Sequence, residues 1–184
     1  MLMEDDALTE NQLKEIIGTY QTLEYTSKLN RSLLLLSKID NSQFVEEKEI
    51  DMNGLIKRYI EDYEDVYSYK NIQVRLEETD NLVVRMNDVL AGILITNLLK
   101  NSFVHNIDNG CLYIDITSDC IQLKNSAEHG PLDEDHLFER FYQGHKKEGS
   151  TGLGLALVDA VCRHSRIKIK YFYEEGWHIF ELNC

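Results

Sequence analysis

Proline is almost absent from this chain, one in 184 residues against ten glycines. That scarcity excludes a collagen-like, polyproline or linker-dominated chain. With 43% hydrophobic and 28% charged residues, the composition is that of a folded chain with a packed core. The length suits one domain of ordinary size plus a short extra element, not two full cores. No apolar run approaches the roughly 18 residues of a membrane-spanning helix; Leu33 to Leu36, which no uninterrupted run exceeds, sits in a polar helical pattern. The amino terminus, MLMEDDALTE, lacks the basic and apolar regions of a signal peptide, so a cytoplasmic location is the default expectation. Cys111, Cys120, Cys162 and Cys184 show no CxxC or metal-type spacing, which points to free buried thiols and away from a zinc site or a disulfide framework. Basic residues are outnumbered, 19 Lys and Arg against 32 Asp and Glu, for a net charge of −13 and a pI near 4.8. Such a balance repels nucleic acid and anionic membrane surfaces overall. Any anionic ligand must be held by a local arrangement.

Between Asn11 and about Ser42 apolar residues recur at Leu13, Ile16, Ile17, Tyr20 and Leu23, then at Leu29, Leu33 and Leu36, which predicts a long amphipathic helix. A helix of this length is marginal unpacked, so a partner is implied, either from a second chain or from the rest of this one. After Phe44, VEEKEIDMN reads as a short strand closing on Asp51 or Asn53 as a helix cap, and Leu55, Ile56, Tyr59, Ile60 and Tyr63 mark the buried face of the helix that follows. IQVRL (72–76) and LVVRM (82–86), separated by EETDN, read as paired strands. Asn87 and Asp88 are caps for a second helix to about Phe103. CLYIDI and CIQLK form a hairpin, a polar stretch runs from Asn125 to Thr151, and a helix from Leu153 to His164 leads into IKIKYFY and WHIFEL around Glu175-Gly176. The pattern is α+β, with helices on one face of a mostly antiparallel sheet.

Two segments carry chemistry. In ILITNLLKNSFVHN, Asn97, Asn101 and His105 fall four residues apart and share one helix face, while Ile95, Leu99 and Phe103 lie behind. Asparagine is a mediocre helix former. Two in register are explained by side-chain carbonyls that can ligate a hard cation such as Mg²⁺, or else by satisfying backbone and loop groups. In GSTGLGLALV, three glycines and two small hydroxyl residues precede an amphipathic helix, whose first-turn N–H groups and positive dipole end suit a phosphate. The pattern is neither a Walker loop nor GxGxxG after a strand.

Taken in order, NLLKNSFVHN, LKNSAEHGPL, LFERFYQG and GSTGLGLALV resemble the N box, first glycine box, F box and second glycine box of sensor histidine kinases. KLNRSLLLLSKIDNSQF likewise resembles the second helix of that family's dimerisation and histidine-phosphotransfer hairpin. The resemblance implies a two-layer α/β sandwich of the Bergerat ATP-binding type behind the leading helix, with a partial helical segment over 1–43 and an ATP-binding catalytic domain over 44–184. It further implies ATP and Mg²⁺ as cofactors. Asn101 becomes the metal ligand, Asn97 its neighbour one turn earlier, and His105 a contact near the ribose or phosphates. Asn125 takes the place of an adenine-reading aspartate. Phe138, Arg140, Phe141 and Tyr142 match the F box of a lid, and Gly149, Thr151, Gly152, Leu153, Gly154 and Leu155 match the phosphate loop.

Some positions depart from the family. Asn125, Ala127 and His129 stand where the first glycine box has aspartate and two glycines. A neutral acceptor in place of a charged one costs about 1 kcal/mol, or about fivefold in affinity. Val104 replaces a phosphate-touching lysine, with Arg140, Lys146 and Lys147 as possible basic substitutes from the lid. All six histidines lie at or beyond His105, so no acceptor histidine is expected in this chain. MLMEDDALTE looks like the hairpin end that follows one. The resemblance implies ATP binding without self-phosphorylation by this chain alone, a response-regulator receiver domain as partner, a homodimer formed through the leading helix, and the cytoplasmic portion of a bacterial inner-membrane sensor. The competing readings are a degenerate nucleotide-binding or dimerisation scaffold, and a relative of the same fold that phosphorylates serine or hydrolyses ATP.

Overall fold

A computed structural model describes residues 9–144 and 149–184. Helix α1 (Glu10–Asp40) opens on a capping box, in which Thr9 Oγ1 accepts from the Gln12 N–H and Gln12 Oε1 accepts from the Thr9 N–H. Strand β1 (Lys48–Asp51) ends at Asp51, whose carboxylate accepts from the Gly54 N–H and starts α2 (Met52–Val66). Strands β2 (Gln73–Glu78) and β3 (Val83–Met86) precede α3 (Asp88–Val104). The Asn87 side chain caps α3 by accepting from the Val89 and Leu90 N–H groups. Then follow β4 (Cys111–Ile116), β5 (Cys120–Ser126), α4 (Gly154–Ser165), β6 (Lys168–Glu174) and β7 (Trp177–Asn183).

Five strands form one sheet in the order β2-β4-β5-β7-β6, antiparallel except for β2 beside β4. Leu112, Ile114, Ile116, Ile121, Leu123, Phe180 and Leu182 point to one face and are buried against Leu94, Leu98 and Phe103 of α3 and Val158 and Val161 of α4. The other face carries Arg75 over Tyr113, and Lys124 over Trp177, at 5.5 and 5.0 Å from the ring centroids. One dry face and one polar face make a two-layer sandwich. Of the four cysteines Cys162 alone is buried, its thiol pushed up to about 12 by burial and then by Asp159; Cys111 and Cys120 are half-buried and Cys184 is exposed. The expectation of buried thiols holds for Cys162 only.

The segments 72–76 and 82–86, read as paired strands, do not pair with each other. β3 lies antiparallel to β1, Lys48 opposite Met86 and Asp51 opposite Val83, in a separate two-stranded sheet, while β2 pairs with β4. Asn53 supplies the reason. Its Nδ2 donates to Glu78 Oε1 and Asp80 O, its Oδ1 accepts from the Leu82 N–H, and Leu82 O accepts from the Met52 N–H. The EETDN turn is therefore tied to α2, not closed by cross-strand bonds.

α1 also differs from a single amphipathic stripe. At about 100° per residue, Leu13, Ile16, Ile17, Tyr20 and Leu23 point roughly half a turn away from Leu29, Leu33, Leu36 and Ile39. The later group docks: Leu36 and Ile39 are buried and Leu29, Leu33 and Leu35 half-buried against the core. Of the earlier group Leu13 and Ile16 are half-buried, while Ile17, Tyr20 and Leu23 stay open, Tyr20 61% and Leu23 65% exposed. One end of the helix thus packs on this chain, and the other end leaves an apolar face exposed.

Candidate nucleotide site

Helix α3 forms one wall of a cavity of about 660 Å³. Its apolar back, Ile95, Leu99 and Phe103, is 0–1% exposed, which turns Asn97, Asn101 and His105 toward the opening. Asn97 Nδ2 donates to Ile93 O at 2.7 Å, leaving its Oδ1 facing Gly154, where an added Cβ would lie 3.2 Å away. Among the described residues the Asn101 amide has no hydrogen-bond partner, and no sealed side-chain atom lacks one, so that amide is open to the cavity. The helix is fixed from behind by Lys70, a buried lysine whose ammonium donates to Phe103 O, Val104 O and Asn106 O at 3.0, 2.9 and 2.8 Å. A cation on these last carbonyls is the favourable partner for a helix C-terminus.

At the sheet end Asn125 is 2% exposed and sits opposite His178 in the β5–β7 register. Its Nδ2 donates to Ser126 O at 3.0 Å. The amide is thereby oriented with its carbonyl oxygen available, an acceptor that suits an exocyclic amine.

The glycine segment closes the third side. Helix α4 begins at Gly154 with Leu153 as N-cap and no side-chain cap bond, so its first-turn N–H groups are open to an anion. Gly152 has φ +66°, and a Cβ there would come within 2.7 Å of Phe141 C and 2.8 Å of Tyr142 O. Only glycine lets this backbone pass so close to the lid root, where the Phe141 N–H donates to Gly152 O.

Ten of the predicted residues line the cavity. They are Asn97, Asn101, His105 and Asn125, then Tyr142, Gly149 and Thr151, then Gly152, Gly154 and Leu155. Four do not. Phe138 packs against the core, Leu153 is fully buried beneath the loop, and Phe141 is 55% exposed at φ +69°. Arg140 reaches away from the cavity to Asp40 of α1, at 2.6 Å, because that carboxylate lies beside the lid root. Lys146 and Lys147 lie outside the described residues.

The lining also holds cations that sequence reasoning missed, Lys28 and Arg31 of α1 and Lys100 of α3, against one carboxylate, Glu128. A chain of net charge −13 thus presents a locally basic cavity. Lys100 was legible: it adjoins Asn101 and lies one turn before Val104, so it supplies on this wall the charge that position 104 lacks. Lys28 and Arg31 carry no such signal, because only the docking of α1 brings them here.

The residues present fit a nucleotide. The volume lies in the range of small-molecule sites, with a buried acceptor in Asn125, open helix N–H groups at the start of α4, and cations in the lining. They fit a phosphate-bound Mg²⁺ in a limited sense. No cluster of three His, Cys, Asp or Glu exists among the described residues, and Mg²⁺ commonly takes one or two protein oxygens alongside phosphates and water.

Residues 63–180 match the family described as histidine kinase-, DNA gyrase B- and HSP90-like ATPase. The chain belongs to that family. Within it, the likeness runs to sensor histidine kinases. The heme sensor protein HssS of Staphylococcus epidermidis is 29% identical over 162 residues, covering 84% of this chain and 36% of that protein. The chain spans about a third of the length of the curated relatives it matches. Among solved structures, the Acinetobacter baumannii histidine kinase AdeS superposes with a TM-score of 0.71 at 23% identity, over 95% of this chain and 84% of that one. Full-length ShkA, solved in complex with AMPPNP, gives 0.70 at 18% identity over 98% and 40%. These structures support the fold, and the family carries ATP binding with it. The chain is homologous to the ATP-binding catalytic domains of protein-histidine kinases, and the degenerate-scaffold reading is not favoured.

Proposed function

We propose that residues 44–184 bind Mg-ATP in this cavity and deliver its γ-phosphoryl group to a histidine carried on a dimerisation helix, from which it passes to an aspartate of a response-regulator receiver domain. The observation that carries the reading is the convergence of the unengaged Asn101 amide, the oriented Asn125 carbonyl and the uncapped start of α4 on one basic cavity. Asn125 holds the base. The N–H groups of Gly154 and Leu155, with Thr151, hold the phosphate chain, and Asn97 and His105 flank it. Asn101 is the residue that would hold Mg²⁺, which when bound offsets charge on the transferring oxygens. Fixed N–H dipoles in a partly water-excluded site stabilise that charge without reorganising. Phe138, Phe141 and Tyr142 belong to the lid that orders over the nucleotide.

No histidine lies in α1, so the acceptor is proposed to be outside these 184 residues. Residues 1–43 are proposed as part of the dimerisation and phosphotransfer segment, with the open face around Tyr20 and Leu23 toward a second copy. No helix among the described residues is long and apolar enough to cross a membrane. A cytoplasmic position within a membrane sensor is proposed from the relatives.

Calorimetry with Mg²⁺ and a non-hydrolysable ATP analogue tests the reading. Wild type binds, and Asn101→Ala loses the Mg²⁺-dependent part of the affinity, about tenfold or more, while its melting point is unchanged because the amide holds nothing else. Equal affinity in both proteins would remove the metal role. Radiolabel transferred from ATP to a separate acceptor-helix peptide, stable to base and labile to acid, supports histidine as the acceptor. Acid-stable label points to serine instead.

A further inference from the structure

One wall of the cavity comes from outside the family-matched segment. Lys28, Arg31 and Ser32 of α1 line it, although the family match begins only at residue 63. On a helix turning about 100° per residue, Lys28 and Ser32 continue the line of Leu35 and Ile39, and Arg31 flanks it. Burial of Leu36 and Ile39, at 1% and 3% exposure, fixes the rotation of α1 and with it the direction of the two cations. The stripe that is apolar against the core becomes basic where it overhangs the opening. Arg31 has no acidic partner among the described residues, and Lys28 has Glu24 of its own helix at 3.0 Å, an exposed pair of little strength. On α3 the matching side of the cavity has Lys100 as its lysine or arginine, with valine at 104.

We infer that Lys28 and Arg31 form a cationic clamp for the terminal phosphates of the nucleotide, so that docking of α1 completes the binding site. The inference rests on the nucleotide-binding reading above and adds a structural consequence. Affinity for ATP reports whether α1 is docked, since a rotation or swing of that helix withdraws both charges while leaving the base-binding end and the phosphate loop in place.

Titration calorimetry of the full 184-residue chain with a non-hydrolysable ATP analogue, ADP and adenosine separates the possibilities. Arg31→Ala and Lys28→Ala are each expected to weaken the triphosphate by about five- to tenfold and adenosine by less than about twofold, with ADP between. Arg31→Lys restores most of the loss, and the salt dependence of triphosphate binding becomes shallower in the alanine variants. Both side chains are exposed, so melting temperatures stay at the wild-type value. Variants that bind the triphosphate as tightly as wild type overturn the clamp and leave the nucleotide site standing. Loss that is equal for adenosine and triphosphate also overturns it, since a general disturbance of α1 would act that way. A wild-type chain that binds no adenine nucleotide overturns the site and the clamp together.

Discussion

The Tyr171 hydroxyl lies 2.7 Å from His178 Nδ1 and accepts from the Leu132 N–H at 3.0 Å. The contact places the phenol between the backbone at the lid root and the His178 ring. One phenol on β6 therefore ties the root of the lid to the strand that faces Asn125. Burial raises the Tyr171 pKa, partly opposed by the Leu132 N–H, and keeps the group a donor throughout the neutral range.

Removing that hydroxyl should loosen the lid before it unfolds the domain. Tyr171→Phe leaves a buried imidazole nitrogen and the Leu132 N–H without their partner, a cost of about 1–3 kcal/mol. Chemical denaturation should show that loss, and limited proteolysis should cut between residues 127 and 153 faster than in wild type. An unchanged cleavage rate would show that the lid root is held elsewhere.

The two glycines of the phosphate loop with positive φ should respond differently to alanine. At Gly152 the methyl meets Phe141 and Tyr142 backbone at 2.7–2.8 Å, so Gly152→Ala is expected to lose more than about tenfold in nucleotide affinity and more than about 2 kcal/mol of stability. At Gly149, φ +77° with nothing within 4 Å, only the conformational penalty of about 1 kcal/mol applies. Nucleotide titration and thermal melts of the two variants side by side check the contrast.

Lys70→Met keeps most of the side chain's apolar stem and deletes its ammonium. Three carbonyls at the end of α3 lose their donor, which should lower stability by about 2–4 kcal/mol. Because the same helix carries Asn97 and Asn101, urea denaturation should show the loss together with weaker nucleotide binding. Lys70→Arg should recover part of both.

The lid turn at Asp133–His136 should weaken on either side of a window in pH. His136 is raised above its ordinary value of 6.5, first by its hydrogen bond to Asp133 at 2.8 Å, and Asp133 is held below 3.8 by the same bond. The His136 contribution is complete below pH 6.5 and is lost as pH climbs through its raised value. The Asp133 contribution is complete above pH 3.8 and is lost as pH falls through its depressed value. An NMR titration of the His136 ring should give a midpoint above 6.5 that returns toward it in Asp133→Asn.

The legible parts of this protein were those encoded over a few residues. Asn87 before an apolar run announces a capped helix, spacing of four puts Asn97, Asn101 and His105 on one face of it, and Gly152 ahead of an amphipathic segment announces a close turn into α4. Strand pairing was not local. Whether 82–86 folds back on 72–76 depended on Asn53, nearly thirty residues earlier, whose amide occupies the turn's backbone groups. Arg140 was readable as an F-box cation, yet its carboxylate partner is Asp40, at the end of a helix a hundred positions away.

By itself the sequence determined the element types, the amide row on α3 and the phosphate-type start of α4, because periodicity, caps and glycine torsions act within one or two turns of chain. Tertiary structure alone decided which face of α1 meets the core, and so that Lys28 and Arg31 overhang the cavity. The two apolar stripes of that helix point in opposite directions, and only burial of Leu36 and Ile39 against the rest of the chain selects between them.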